Sequence, residues 1–262
     1  MTKGLFDEFN GVSSKQWKQK IQFDLKGADY NDTLIWKTND DISVKPFYHA
    51  DEFNNYHPVS NTKATDWLIS QTIYVVDALK SNQKAIDILQ RGAECIQFII
   101  PSEEVSIKDL IENIDIDKTP LFFELQFLSQ PYVEHLISLV PKSKIIIDSI
   151  GHLAKTGNWF SNLNDDLKKT EAITKKTDTI TIQADLYQNA GANMVQQLAY
   201  TLAHANEYLN YLDANKNKIN TVVFYISVGS NYFFEIAKLR ALRKLWNALA
   251  SEYNINTQCQ II

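Results

Sequence analysis

Three carboxylates, Glu124, Asp148 and Asp185, fall on separate short apolar runs of this chain. If those runs are strands converging at one mouth, burial and mutual repulsion would raise one pKa and leave an acid/base pair. The competing reading is that each is a satisfied polar group or points outward. His152 follows Gly151 at the end of the third run, where parallel-barrel enzymes place catalytic groups, which makes it the best candidate general base. The plainer reading is a solvated loop histidine. His49, His57, His135 and His204 stand at neither HxxxH nor HExxH spacing, so no zinc motif is expected. Arg240 and Arg243 share one helix face at i, i+3 and would suit an anion, yet Glu235 and the lysine-bearing run 238–244 fit a solvated charged face equally well. GxSxG, GxxxxGK[ST] and GxGxxG are missing. With eight glycines in 262 residues, a phosphate-cradling loop is not expected.

Positioning these groups falls to six runs rich in Ile, Val, Phe or Thr, at 94–100, 120–127, 144–150, 179–186, 220–228 and 256–262. Helical patterns at 76–91, 106–113, 130–139, 161–175, 190–212 and 230–253 precede or separate them. Strand, helix, strand in repetition implies right-handed crossovers and a parallel sheet. An open sheet buried on both faces reads almost continuously apolar, whereas here polar residues alternate within the runs. Gln97, Glu124, Gln126, Asp148 and Gln183 are therefore expected in the polar lumen of a TIM-type α/β barrel. With six strands counted, that barrel is incomplete. Its first and last strands would expose unpaired edges open to self-association.

Ahead of the runs, Ser13-Ser14-Lys15-Gln16 has capping-box spacing, and Trp17, Ile21 and Leu25 follow at i, i+4, i+8 before Gly27. One amphipathic helix is predicted. From 38 to 66 no helical period exists, and Phe47, Tyr48, Phe53 and Tyr56 are mixed with Asn and Asp. This segment reads as part of an arm, 1–66, ahead of a partial barrel, 67–262. Trp17, Ile21, Leu25, Phe47 and Tyr48 become interface candidates, with packing inside the chain as the alternative.

Composition narrows the classes further. Apolar residues are 45% and charged residues 22%, ordinary for a globular chain, and no apolar run approaches the ~18 residues of a membrane span. The start carries Asp7 and Glu8 and no signal-like apolar stretch, so the cytoplasm is the expected location. Cys95 and Cys259 sit in apolar stretches and are expected as buried thiols. A net charge of -5 argues against nucleic acid as a partner. Only Arg91, Arg240 and Arg243 supply guanidinium groups for gripping phosphate or carboxylate.

The helix-like stretch 229–246, GSNYFFEIAKLRALRKLW, closely resembles its counterpart in cobalamin-dependent acyl-CoA mutases, the methylmalonyl-CoA mutase family. Asp-Leu-Lys-Gly-Ala-Asp-Tyr at 24–30, Val-Lys-Pro-Phe-Tyr at 44–48, and Gln-Asn-Ala-Gly-Ala at 188–192 with Leu-Ala-Tyr-Thr-Leu-Ala at 198–203 agree with it in order and spacing. The likeness is greatest to the small, or beta, subunit of the heterodimeric bacterial enzyme. It implies an arm embracing the partner subunit, then a (β/α)8 barrel threaded by coenzyme A, then a cobalamin domain.

The chain departs from the catalytic pattern at four places. Where the catalytic subunit carries a Tyr-His pair, this chain reads Asp185-Leu186; its tyrosine and arginine before Trp67-Leu-Ile-Ser-Gln71 fall on Thr62 and Thr65. The arginine-bearing segment before the same strand is replaced by 157–179, which has no arginine, and the Asp-x-His-x-x-Gly lower-ligand motif is missing. The resemblance thus implies a non-catalytic small subunit. It would bind no cofactor itself and would support a large catalytic subunit that holds adenosylcobalamin and interconverts methylmalonyl-CoA and succinyl-CoA. The alternatives are a stand-alone interaction or chaperone protein for the mutase, and an autonomous barrel enzyme using Glu124, Asp148, Asp185 or His152.

Overall fold

The computed structural model describes residues 10–53, 67–214, 221–254 and 258–262. The chain forms two compact units, Met1–Val59 and Ser60–Ile262. Thr62 and Thr65 lie outside the described residues.

In the first unit, helix α1 (Ser14–Asp24) starts where the capping box predicts, with Ser13 and Gln16 exchanging side-chain and backbone hydrogen bonds. Leu25 is its C-cap rather than a member, and the left-handed backbone at Lys26 and Gly27 stops it there. No residue of α1 is buried. Helix α2 (Tyr30–Leu34) is capped by Asp29, and strands β1 (Trp36–Lys37) and β2 (Ser43–Val44) pair antiparallel. Trp17 meets Phe47 edge to face at 6.2 Å between ring centres, while Tyr48 stays 54% exposed.

The second unit is α/β, with parallel strands and intervening helices. Strands β3 (Ser70–Tyr74), β4 (Cys95–Ile100), β5 (Leu121–Leu125) and β6 (Lys144–Ile146) form one sheet in that order. Strands β7 (Thr179–Gln183), β8 (Thr221–Tyr225) and β9 (Gln258–Ile261) form another. The described strands of this unit therefore number seven, not six, and they do not close into one hydrogen-bonded barrel. The uncounted strand is β3. It lies at a sheet edge, and its polar Ser70, Gln71 and Thr72 are exposed, so it lacks the apolar run that marks its neighbours.

Helices α3 (Ala78–Gln90), α4 (Ile107–Ile111) and α5 (Gln130–Leu139) follow β3, β4 and β5 in turn. The side-chain alternation of a strand assigns the two faces. On β4 and β5, Ile96, Phe98, Ile100, Leu121, Phe123 and Leu125 are buried in one core with Leu110, Val133 and Leu136 of the helices. Gln97, Phe122 and Glu124 take the opposite face. Helix α9 (Met194–Ala214) and helix α10 (Tyr232–Glu252) cover the second sheet likewise, with Tyr208, Leu242 and Trp246 against Ile182 and Phe224.

Two predicted strands end early. The run 144–150 is strand only through Ile146, because Asp148 caps helix α6 (Ser149–Thr156) by accepting the Gly151 N–H. The run 179–186 is strand only through Gln183, and Asp185 opens the short helix α8 (Asp185–Asn189). Asp148 and Asp185 are thus not strand residues, and His152 stands on α6, not in a loop. Helix α7 (Leu163–Thr177) precedes β7. Among the described residues no helix is long and apolar enough to cross a membrane.

Candidate functional site

In both sheets, strand faces turned away from the helix-packed cores carry polar groups. Gln97 donates from Nε2 to Glu124 Oε2 at 2.9 Å. Asp185 is half-buried; burial first, and the Glu124 charge second, raise its carboxyl above the usual range, with Lys155 and the Leu186 N–H opposing. Tyr225 is held protonated by burial and by the charges of Glu124, Cys95 and Asp185. Gln97 and Glu124 are thus joined directly, and Asp185 and Tyr225 lie within reach of the Glu124 charge. Gln126 differs: it is exposed and takes a 3.4 Å contact from the Tyr74 hydroxyl.

Asp148 centres a second group and is 4% exposed. Its Oδ1 accepts from Gly151 N–H at 2.8 Å, Tyr208 Oη–H at 2.8 Å and His204 Nε2–H at 2.9 Å. Its Oδ2 accepts from the Gln183 N–H at 2.7 Å. Burial pushes this carboxyl up, but the charge and hydrogen bond of His204 and the two backbone N–H groups outweigh it and hold it below the usual range. His204 faces Asp148 with Nε2–H, and its Nδ1 lies 3.1 Å from the Tyr187 hydroxyl, accepting from it when the ring is neutral and donating to it when the ring is charged. Tyr208 also accepts the Ile150 N–H at 3.1 Å. The network is closed on itself, each polar group answered by another.

His152 stacks on Phe160 with ring centres 3.7 Å apart. Burial draws its pKa below the usual imidazole range, against the charge of Asp166. It borders a cavity of about 240 Å³ shared with Glu124, Gln126, Asp148, Lys155 and Gln183. His152 and the carboxylates thus reach one end of the strands, but Asp148 already takes four donors from the chain itself. Arg243 borders a different cavity, of about 680 Å³, together with Cys95, Gln97 and Cys259. Both thiols are free, and burial pushes that of Cys259 up to about 11.

Sequence reasoning missed His204, Tyr208 and Lys238. His204 and Tyr208 are four apart on α9, one face of a helix, which was the signal available. Lys238 was counted with a solvated charged face, yet it is 2% exposed. Its place in line with buried Leu242, Trp246 and Ala250 at steps of four already marked that stripe as inward.

Residues 155–261 match the methylmalonyl-CoA mutase family model. Among curated proteins, the chain is similar to the methylmalonyl-CoA mutase small subunit of Porphyromonas gingivalis, 28% identical over 95% of this chain and 46% of that protein. The methylmalonyl-CoA mutase of Cereibacter sphaeroides is 39% identical over 90% of this chain and 42% of its own length. The large subunit of Streptomyces virginiae is 37% identical, but over only 29% of this chain and 11% of that protein. The chain spans less than half the length of these relatives. The similarity to mutase small subunits thus extends over nearly the whole chain.

Proposed function

We propose that this chain, similar to mutase small subunits along nearly its whole length, acts as a non-catalytic small subunit of a heterodimeric methylmalonyl-CoA mutase, or as part of one. Its role is to support a large catalytic subunit that interconverts methylmalonyl-CoA and succinyl-CoA. The observation that carries the reading is the segment after β7, where Asp185 and Leu186 open α8 at the positions to which the resemblance assigns the Tyr-His pair of the catalytic pattern. Asp185 lies within the electrostatic reach of Glu124, so the interior presents carboxylates where an acyl-CoA, itself an anion, would need cations and an imidazole. These residues do not fit substrate or cobalamin, and no reaction step is drawn through them. Adenosylcobalamin belongs, in this reading, to the large subunit.

The two parallel sheets are read as consecutive parts of one TIM-type barrel wall. A cavity of about 290 Å³, lined by Phe122 and Ile146 from one sheet and Thr181, Val223 and Tyr225 from the other, supports that reading. The arm 1–66 is assigned to partner contact.

The test is co-expression with the large mutase subunit of the same organism. Stoichiometric co-purification is expected, while the chain alone gives neither a saturable adenosylcobalamin spectral shift nor turnover. Sub-stoichiometric, transient capture would favour the chaperone alternative, and cofactor binding or turnover by the chain alone would overturn the non-catalytic reading.

A further inference from the structure

We infer that Asp148 is an acid-operated clasp across the seam between the two parallel sheets: ionised, it holds the end of β6 to the end of β7, and on taking up a proton it lets the seam loosen before the rest of the unit unfolds. Among the described residues no ladder hydrogen bond joins β6 to β7. The chain leaves β6 at Ile146, and two residues later the Asp148 carboxylate spans the seam to the Gln183 N–H that ends β7. Two further donors, His204 and Tyr208, come from α9, and Gly151 comes from α6. Oδ1 takes three of these donors and Oδ2 takes the Gln183 N–H, so the oxygen with room for a proton is the one that spans the seam. Protonation there removes the negative charge that strengthens all four bonds and leaves the Gln183 N–H facing the hydroxyl oxygen of a carboxylic acid, a weaker acceptor than a carboxylate.

The groups facing Asp148 decide the direction. From α9 these are His204 and Tyr208, and behind His204 stands Tyr187 of α8. From α6, His152 feels its charge, and Lys155 of α6 and Glu124 of β5 share the cavity it borders. Burial pushes the Tyr187 hydroxyl up to about 12 and that of Tyr208 well above its usual value, so neither titrates below neutrality. A proton on His204 keeps its bond to Asp148 and turns Nδ1 into a donor toward the Tyr187 oxygen, which leaves the seam tied. The carboxyl itself lies below the usual range, so the clasp is intact at neutral pH and released as pH falls below that range.

Amide hydrogen exchange on the full chain tests this, read at Gln183 on the seam and at Phe98 within the first sheet. In Asp148→Asn at pH 7, Gln183 exchange should rise roughly tenfold to a hundredfold, the worth of one hydrogen bond to a charged acceptor, while Phe98 stays within about threefold. The wild-type chain, followed from pH 7 to about pH 2, below the usual carboxylate range, and corrected for intrinsic exchange, should show the same selective loss in acid. If the variant does not fold, the wild-type series decides. Equal loss at both amides, or none at either, overturns the inference.

Discussion

The Lys238 ammonium lies 2.8 Å from the carbonyl oxygen of Ser227, which ties α10 to the segment leaving β8. The side-chain oxygens of Gln188 and Gln197 complete its hydrogen bonds at 3.0 Å each, bringing in α8 and α9. Glu235 stands 2.6 Å away as a charge contact rather than an aligned hydrogen bond. This buried cation is satisfied from four directions, so the structure uses it as a fastener.

Lys238→Met would keep most of the volume but leave Glu235 without its counter-ion in a nearly dry site. Breaking a buried pair from one side costs about 3–5 kcal/mol. Urea denaturation should show a loss of that size, and Lys238→Met with Glu235→Gln should recover part of it, since the two sites share one interaction. A loss under about 1 kcal/mol would mean the ammonium is as well solvated as a surface lysine.

Gly151→Ala makes a sharper test of local packing. Helical propensity favours alanine at such a position, but a β-carbon at Gly151 would overlap the Asp148 carboxylate. Either the cap at the Gly151 N–H or the bridge to Gln183 must give way, so the expected cost is about 1–3 kcal/mol despite the propensity gain. Thermal unfolding reads it directly. A neutral or raised midpoint would show that the α6 start can shift without disturbing Asp148.

Much of this fold was legible because it is written in side-chain period. Ile96, Phe98 and Ile100 alternate with Gln97 and Ile99, and the structure buries the first set and turns Gln97 to Glu124. The capping box at Ser13 and the helices 130–139 and 232–252 were likewise announced by spacing. The edge strand β3 was not, since an exposed edge carries no apolar signature. Nor was the turn at Asp148: Ile145, Ile146 and Ile147 read as continuing strand, yet the Asp148 carboxylate caps α6 at the Gly151 N–H. His204 showed no partner in sequence because its partners, Asp148 and Tyr187, are 56 and 17 residues away.

The arm offers a prediction that rests on the proposed partner. Trp17 is 52% and Tyr48 54% exposed, and large aromatics with that much free surface are the residue types that anchor interfaces. Trp17→Ala and Tyr48→Ala should each weaken binding of the large subunit by more than about 1 kcal/mol, as titration calorimetry measures. The unfolding midpoint of the chain alone should barely move. The reverse pattern, a lower midpoint with unchanged binding, would assign both side chains to packing within the first unit, where Trp17 already meets Phe47.

Asp185 supplies the last prediction, and its sign follows from linkage. Burial and Glu124 raise its carboxyl in the folded chain, so the folded state holds this proton more tightly than the unfolded state does. The stability it contributes is full below the unfolded carboxylate range and is lost as pH rises through the raised folded value. Asp185→Asn, neutral throughout, escapes that loss. The variant should therefore be the more stable at pH 7, by up to about 1 kcal/mol for a partly screened charge, and the difference should shrink toward pH 3.5. Urea midpoints of both proteins at the two pH values measure it, and acid effects on Asp148 cancel in the comparison if the two sites are independent. The opposing possibility is specific: Asp185 opens α8, and a negative charge at a helix start is favourable. If Asp185→Asn is the less stable protein at pH 7, that contribution outweighs the repulsion from Glu124, and the two carboxylates are not the strained arrangement that burial implies.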